Sequence, residues 1–186
     1  SRNHRLAVAA FLDRPMGWAK ADGGRGPSLR NWYELLGELD AETRRRTWFG
    51  HEYAARAEPV VIERLAEQLG PSLHVVITLR HYARMLPSAW QELLKAGGSR
   101  GEFELWVRSI LKPRGEDDRV RRARHDQPAL VARWAGVLGP ERVSVVVLNR
   151  RDHGFVFRAF ESLLGLPAGL LDDRAGHGGN RSMTVL

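Results

Sequence analysis

Cysteine is absent from this chain of 186 residues, which removes disulfides, thiolate metal ligands and cysteine nucleophiles and fits a reducing compartment. Lysine is nearly absent as well, so arginine supplies almost all of the 29 basic residues. No apolar run approaches the ~20 residues needed to cross a bilayer. The opening SRNHRLAVAAFLD is basic and then apolar, but Asp13 and Arg14 interrupt it and no small-residue cleavage site follows. A soluble, cytoplasmic protein with no membrane partner is the expectation. Also missing is any GxxxxGK turn followed by serine or threonine, or another glycine-rich loop between a first strand and a helix near the amino end; a complete phosphate-binding nucleotide fold carries one. His74, His81, His125, His153 and His177 lack the carboxylate spacing of a metal site, so no metal is expected.

What the chain does contain is an ordinary globular balance, 43% hydrophobic and 27% charged residues, in a length suited to a single domain over 1–186. The formal net charge of +7, from 29 basic against 22 acidic residues, is carried by guanidinium groups, which bind phosphate, sulfate and carboxylate bidentately. These arginines are scattered along the chain and form no periodic stripe, so nucleic acid is not expected as a partner. Arginine and alanine richness follows equally well from genomic base composition.

Periodicity places a first helix near residues 4–13 and a loop over 15–28. A second helix runs from Leu29 to about Arg45, with Trp32, Leu35, Leu36 and Leu39 on one face and Ser28 as its cap. Thr47 to Glu52 reads as a short strand burying Trp48 and Phe49. Residues 58–69 form an amphipathic helix with Pro59 in its first turn, stopped by Gly70 and Pro71. A strand over 74–79 and helices over 83–96 and 102–111 follow. The mixed-charge stretch 112–125 reads as a loop or a solvated face. A helix over 127–138, a strand from Arg142 to Asn149 and a helix from Phe155 to Leu164 complete an alternating α/β order, which implies a parallel sheet layered by helices, three layers α/β/α. No internal repeat is visible.

The most informative stretch is LHVVITLRHYARMLPSAWQE, residues 73–92. Val75, Val76 and Ile77 make a short, β-branched run of the kind found in strands covered on both faces. Arg80 stands at its carboxyl end, the edge where open α/β sheets bind ligands. Ser88, after Pro87, reads as a helix-start hydroxyl suited to a phosphate. Both also have plainer readings, as a surface ion pair and as a cap or turn residue. His51 and Glu52 end the short strand, where either could serve as a general base or, alternatively, as a core histidine and an ion-pairing carboxylate. The tail segment Gly176, Gly178, Gly179, Asn180, Arg181 and Ser182 could wrap an anion with backbone N–H groups and a guanidinium, or form a loose terminus. Trp90 and Trp106 fall at core spacing.

The order of these pieces resembles the bacterial branch of the sulfotransferase family, which moves a sulfuryl group from 3′-phosphoadenosine 5′-phosphosulfate (PAPS) on a P-loop-type fold. The resemblance spans about His51 to Ser182. VVITLRHYARMLPSAWQE is similar to the family's strand, arginine and serine that hold the 3′-phosphate, and this implies those roles for Arg80 and Ser88. FGHE resembles the strand end that carries a histidine or glutamate base, implying Glu52 or His51. WAGVLGPERVSVVVLN with FRAFESLLGL is similar to the later strand and helix, and NRS to the loop that closes over the nucleotide, implying contacts from Asn180 and Arg181. The family's phosphosulfate loop and first strand have no counterpart in residues 1–46; the resemblance places them before Ser1, and without them this piece should bind PAPS poorly. It implies a nucleotide donor, a small-molecule or glycan acceptor and no metal. Two alternatives stand beside it: a related nucleotide or small-molecule kinase, which needs a lysine-bearing phosphate loop and Mg²⁺ carboxylates, and a noncatalytic anion- or nucleic-acid-binding domain.

Overall fold

The computed structural model describes residues 4–12, 27–41, 46–50, 52–95, 97, 101–149, 151–152 and 154–171. The chain gathers into two compact units, Ser1–Val75 with Leu130–Val143 and Val76–Ala129 with Ser144–Leu186.

The first unit is helical. Helix α1 (His4–Phe11) packs on α2 (Leu29–Ala41), and α3 (Pro59–Leu69) follows a 3₁₀ turn over Glu52–Arg56. Its core forms where the 3.6-residue period lines up apolar side chains: Ala7, Phe11, Trp32 and Leu35 are buried, with Leu36, Leu39, Val61, Leu65 and Leu69 packed against them. The rings of Phe11 and Trp32 lie 4.4 Å apart, and the buried indole N–H of Trp32 donates to Gln68 Oε1 at 2.6 Å, so the largest core side chain has no orphan donor. The cap of α2 is reciprocal, as in a capping box: Arg30 N donates to Ser28 Oγ and Ser28 N to Asn31 Oδ1. Pro59 occupies the first position of α3, and Gly70, at φ 72°, closes it.

The expected strand over Thr47 to Glu52 does not form. Residues 46–50 are irregular, and Glu52–Arg56 winds into the 3₁₀ turn. Phe49 is drawn edge-on to Trp32 at 6.4 Å while Trp48 stays exposed, so the aromatic pair serves a helical core and a surface. Among the described residues no strand pairs with this segment, and a short run without a ladder partner gains nothing from β-branched or aromatic propensity.

The second unit carries the sheet. β1 (Val75–Leu79) and β2 (Val143–Val147) are paired, and the chain is a mixed α/β fold, mostly helical with a small parallel sheet. The pair is extended by Leu148 N donating to Leu79 O at 2.8 Å. Ile77 and Val146 are buried, whereas Val145 and Val147 face outward. Helices α4 (Tyr82–Lys95) and α5 (Phe103–Leu111) pack through Leu86, Trp106 and Ile110, backed by Met85, Trp90 and Phe103. Trp90 and Trp106 are thus core side chains. The 112–125 stretch contains a helix, α6 (Glu116–Ala123), with no buried residue. It lies against α5, where Arg121 Nη1 donates to Ser109 Oγ at 2.7 Å, and charge supports it: three acids in its first turn and arginines in its last complement the helix dipole, and Arg119–Glu116 and Arg121–Asp118 pair along it. Next come α7 (Gln127–Leu138), capped by Asp126 Oδ1 accepting from Ala129 N and belonging to the first unit from Leu130 on, and α8 (Phe155–Leu164), closed by Gly165 at φ 66°. Glu161 is the one buried charged side chain among the described residues. Its Oε1 accepts from Leu171 N at 2.7 Å, which folds the segment after α8 back onto the helix.

Candidate anion-binding site

The β1 ladder ends at Leu79, so Arg80 leaves the sheet at the carboxyl end of a parallel strand. Its carbonyl is held by Gln127 Nε2 at 2.7 Å, while its side chain is exposed and has no hydrogen-bonding or acidic partner among the described residues. His81 caps the helix that follows: Nδ1 accepts from Ala83 N at 3.2 Å, and the His81 carbonyl accepts from Arg84 N and Met85 N. An imidazole therefore does the capping more commonly done by serine or aspartate.

The first turn of α4 contains no acid and does contain Arg84. A cation there faces the positive end of the helix dipole, an unfavourable placement worth about 0.3–1 kcal/mol. Arg84 is exposed and, like Arg80, has no acidic partner among the described residues. Two guanidinium groups and a helix start thus place positive potential on one strand–helix unit with no acidic partner to either arginine among the described residues, an arrangement that a multiply charged anion would relieve.

Ser88 is not a helix-start residue. α4 begins at Tyr82 and runs through Pro87, so Ser88 lies in its second turn, half-buried. The expected helix over 83–96 forms as one piece, so no new helix starts after Pro87. The consequence is chemical. The backbone N–H of Ser88 belongs to the helix and is not an open anion donor; what it offers is its hydroxyl, which has no partner among the described residues. Four residues from Arg84, Ser88 shares its flank of α4, beside the apolar face that Tyr82, Met85, Ala89 and Leu93 turn to the core. The structure thus brings Arg80 and Ser88 onto one β1–α4 unit together with Arg84, whose signal in the sequence is the lack of any acid in the first turn of α4.

Glu52 opens the 3₁₀ turn of the first unit and is exposed. The turn is tied down by Arg133 Nη2 donating to Ala55 O at 2.7 Å. His51, Asn180 and Arg181 lie outside the described residues. Among the described residues no group of three or more His, Asp or Glu side chains is placed to hold a metal, and no helix is long and apolar enough to cross a membrane.

A shallow cleft of about 190 Å³ lies in the second unit, between Tyr82, Ile110, Leu111, Arg122, His125 and Pro128. Of its polar groups, the Tyr82 oxygen accepts from Gln127 N, Asp126, which also lines it, accepts from Ala129 N, His125 packs edge-on to Trp106 at 5.5 Å, and Arg122 is exposed. It is distinct from the charged flank of α4.

These features describe an α/β chain with an exposed guanidinium, free of an acidic partner among the described residues, at the carboxyl end of β1. No protein-family model matches it, and no curated protein does. In fold it is similar to the crystal structure of a sulfotransferase from Alicyclobacillus acidocaldarius, with a TM-score of 0.55 and 20% sequence identity, covering 91% of this chain and 69% of that chain.

Proposed function

We propose that this chain is a sulfotransferase domain that takes PAPS as sulfate donor and passes the sulfuryl group to a hydroxyl or amine of a small-molecule or glycan acceptor. The observation that carries the reading is Arg80, an exposed guanidinium without an acidic partner among the described residues, at the carboxyl end of β1. The likeness of fold to a sulfotransferase supports this choice of anion chemistry. In this reading Arg80 and the Ser88 hydroxyl hold the 3′-phosphate, and Asn180 and Arg181 add contacts from the tail. The acceptor oxygen or nitrogen attacks sulfur in line as the bond from sulfur to the 5′-phosphate oxygen breaks. Adenosine 3′,5′-bisphosphate leaves with the electron pair, and the acceptor proton passes to Glu52 or His51. Charge gathers on the equatorial sulfuryl oxygens, which donors must meet.

Calorimetry on the full encoded protein with adenosine 3′,5′-bisphosphate tests the donor assignment. Arg80→Ala is expected to weaken binding by about 2–3 kcal/mol, the scale of a charge-assisted contact, and equal affinity in wild type and variant removes PAPS from the reading. In a sulfate-transfer assay, either Glu52→Gln or His51→Ala should lower kcat by roughly 10²–10⁴-fold; full rate in both means that neither is the base. Strong, salt-dependent binding to arbitrary duplex that ignores Arg80→Ala would instead mark a noncatalytic binder.

A further inference from the structure

Gln127, the first residue of α7, reaches 47 positions back along the chain to the β1–α4 turn. Its side-chain amide donates to Arg80 O at 2.7 Å and lies 3.1 Å from Met85 Sδ, and its backbone N donates to Tyr82 OH at 3.2 Å. One residue therefore contacts the strand end, the first residue of α4 and the fourth. The Arg80 carbonyl stands just beyond the last ladder bond, where no strand partner remains to satisfy it. A carbonyl fixed there fixes the peptide plane, and with it the direction in which the Arg80 side chain leaves the backbone.

We infer that Gln127 is the positioning residue of this anion site: its amide locks the Arg80 backbone so that the guanidinium is held ready for the anion. This rests on the reading of Arg80 as an anion ligand given above. The amide touches no anion itself and acts only through Arg80. An unlocked turn samples other directions, and the binding-competent one is then only a fraction of the population, which weakens apparent affinity by that fraction.

The test uses Gln127→Met, which keeps side-chain length and helix propensity but deletes both N–H donors, read by calorimetry on the full encoded protein with adenosine 3′,5′-bisphosphate. Affinity is expected to fall about tenfold, the scale of one lost hydrogen bond, while the unfolding midpoint moves little. A purely structural role would add to the effect of Arg80→Ala; a positioning role would not. In an Arg80→Ala background, Gln127→Met should therefore change affinity by less than about twofold. Unchanged affinity in Gln127→Met alone, or a full tenfold loss in both backgrounds, overturns the inference while leaving the donor assignment standing. Failure of the wild-type protein to bind the nucleotide overturns the donor assignment and this inference with it.

Discussion

Arginine on a surface is ordinary; arginine in the first turn of a helix with no acid nearby is not, because the helix dipole opposes it. Arg84 occupies such a place in α4. Replacing it with alanine removes the repulsion and improves helix propensity, so Arg84→Ala should raise the free energy of unfolding by up to about 0.5–1 kcal/mol. The same change should weaken nucleotide binding about five- to twentyfold, the scale of one exposed charge-assisted contact. Chemical denaturation and calorimetry on one preparation check the pair, and a variant that loses both stability and affinity contradicts the account. At this scale the sequence was partly legible. Arg80 could be singled out because a β-branched run ending in a cation is visible within seven residues. Gln127 could not, because its partners lie 47, 45 and 42 positions away and no local pattern encodes such a pairing.

Among the elements, those with one apolar face were readable and those held by other forces were not. Trp32, Leu35, Leu36 and Leu39 mark α2, and Val61, Leu65 and Leu69 mark α3, because burial on a core enforces the helical period. α6 has no such face; its acids and arginines stabilise it through pairs and the dipole, and its composition resembles that of a loop. The Trp48–Phe49 segment departs from expectation for the opposite reason: local propensity favours a strand, and the Trp32 ring claims Phe49. In α4, Pro87 falls inside the helix expected over 83–96, and the apolar face from Tyr82 to Leu93 carries the helix through it. That continuation has a cost, since Pro87 cannot donate to the carbonyl one turn back. Pro87→Ala should restore a ladder bond worth up to about 3 kcal/mol, offset by roughly 0.5–1 kcal/mol from the freer unfolded chain. The net expectation is a gain of about 1–2 kcal/mol in urea unfolding; an unchanged midpoint would mean that the helix has already adapted around the ring.

For the molecule as a whole, the α/β order was legible in the alternation of periods, and the two strands that pair, β1 and β2, are the two with continuous β-branched runs. The grouping of residues 130–143 with the amino-terminal segment was not legible, because it depends on contacts across the length of the chain. The formal charge of +7 acts at this scale too. Raising salt from low to moderate concentration should weaken nucleotide binding, since exposed guanidinium groups are screened over a Debye length of about 8–10 Å.

The outward valines of β2 set a second, opposing sensitivity to salt. Val147 is 57% exposed and Val145 41%, apolar surface whose contact between molecules would be opposed in dilute buffer by the repulsion of their positive net charge. Once electrolyte screens that repulsion, colloidal attraction should take over, and turbidity should rise with ionic strength before any unfolding. Val147→Lys should suppress that turbidity in a light-scattering titration while shifting stability by no more than about 0.5 kcal/mol. Purification of this protein would then work best below the ionic strength at which self-association sets in.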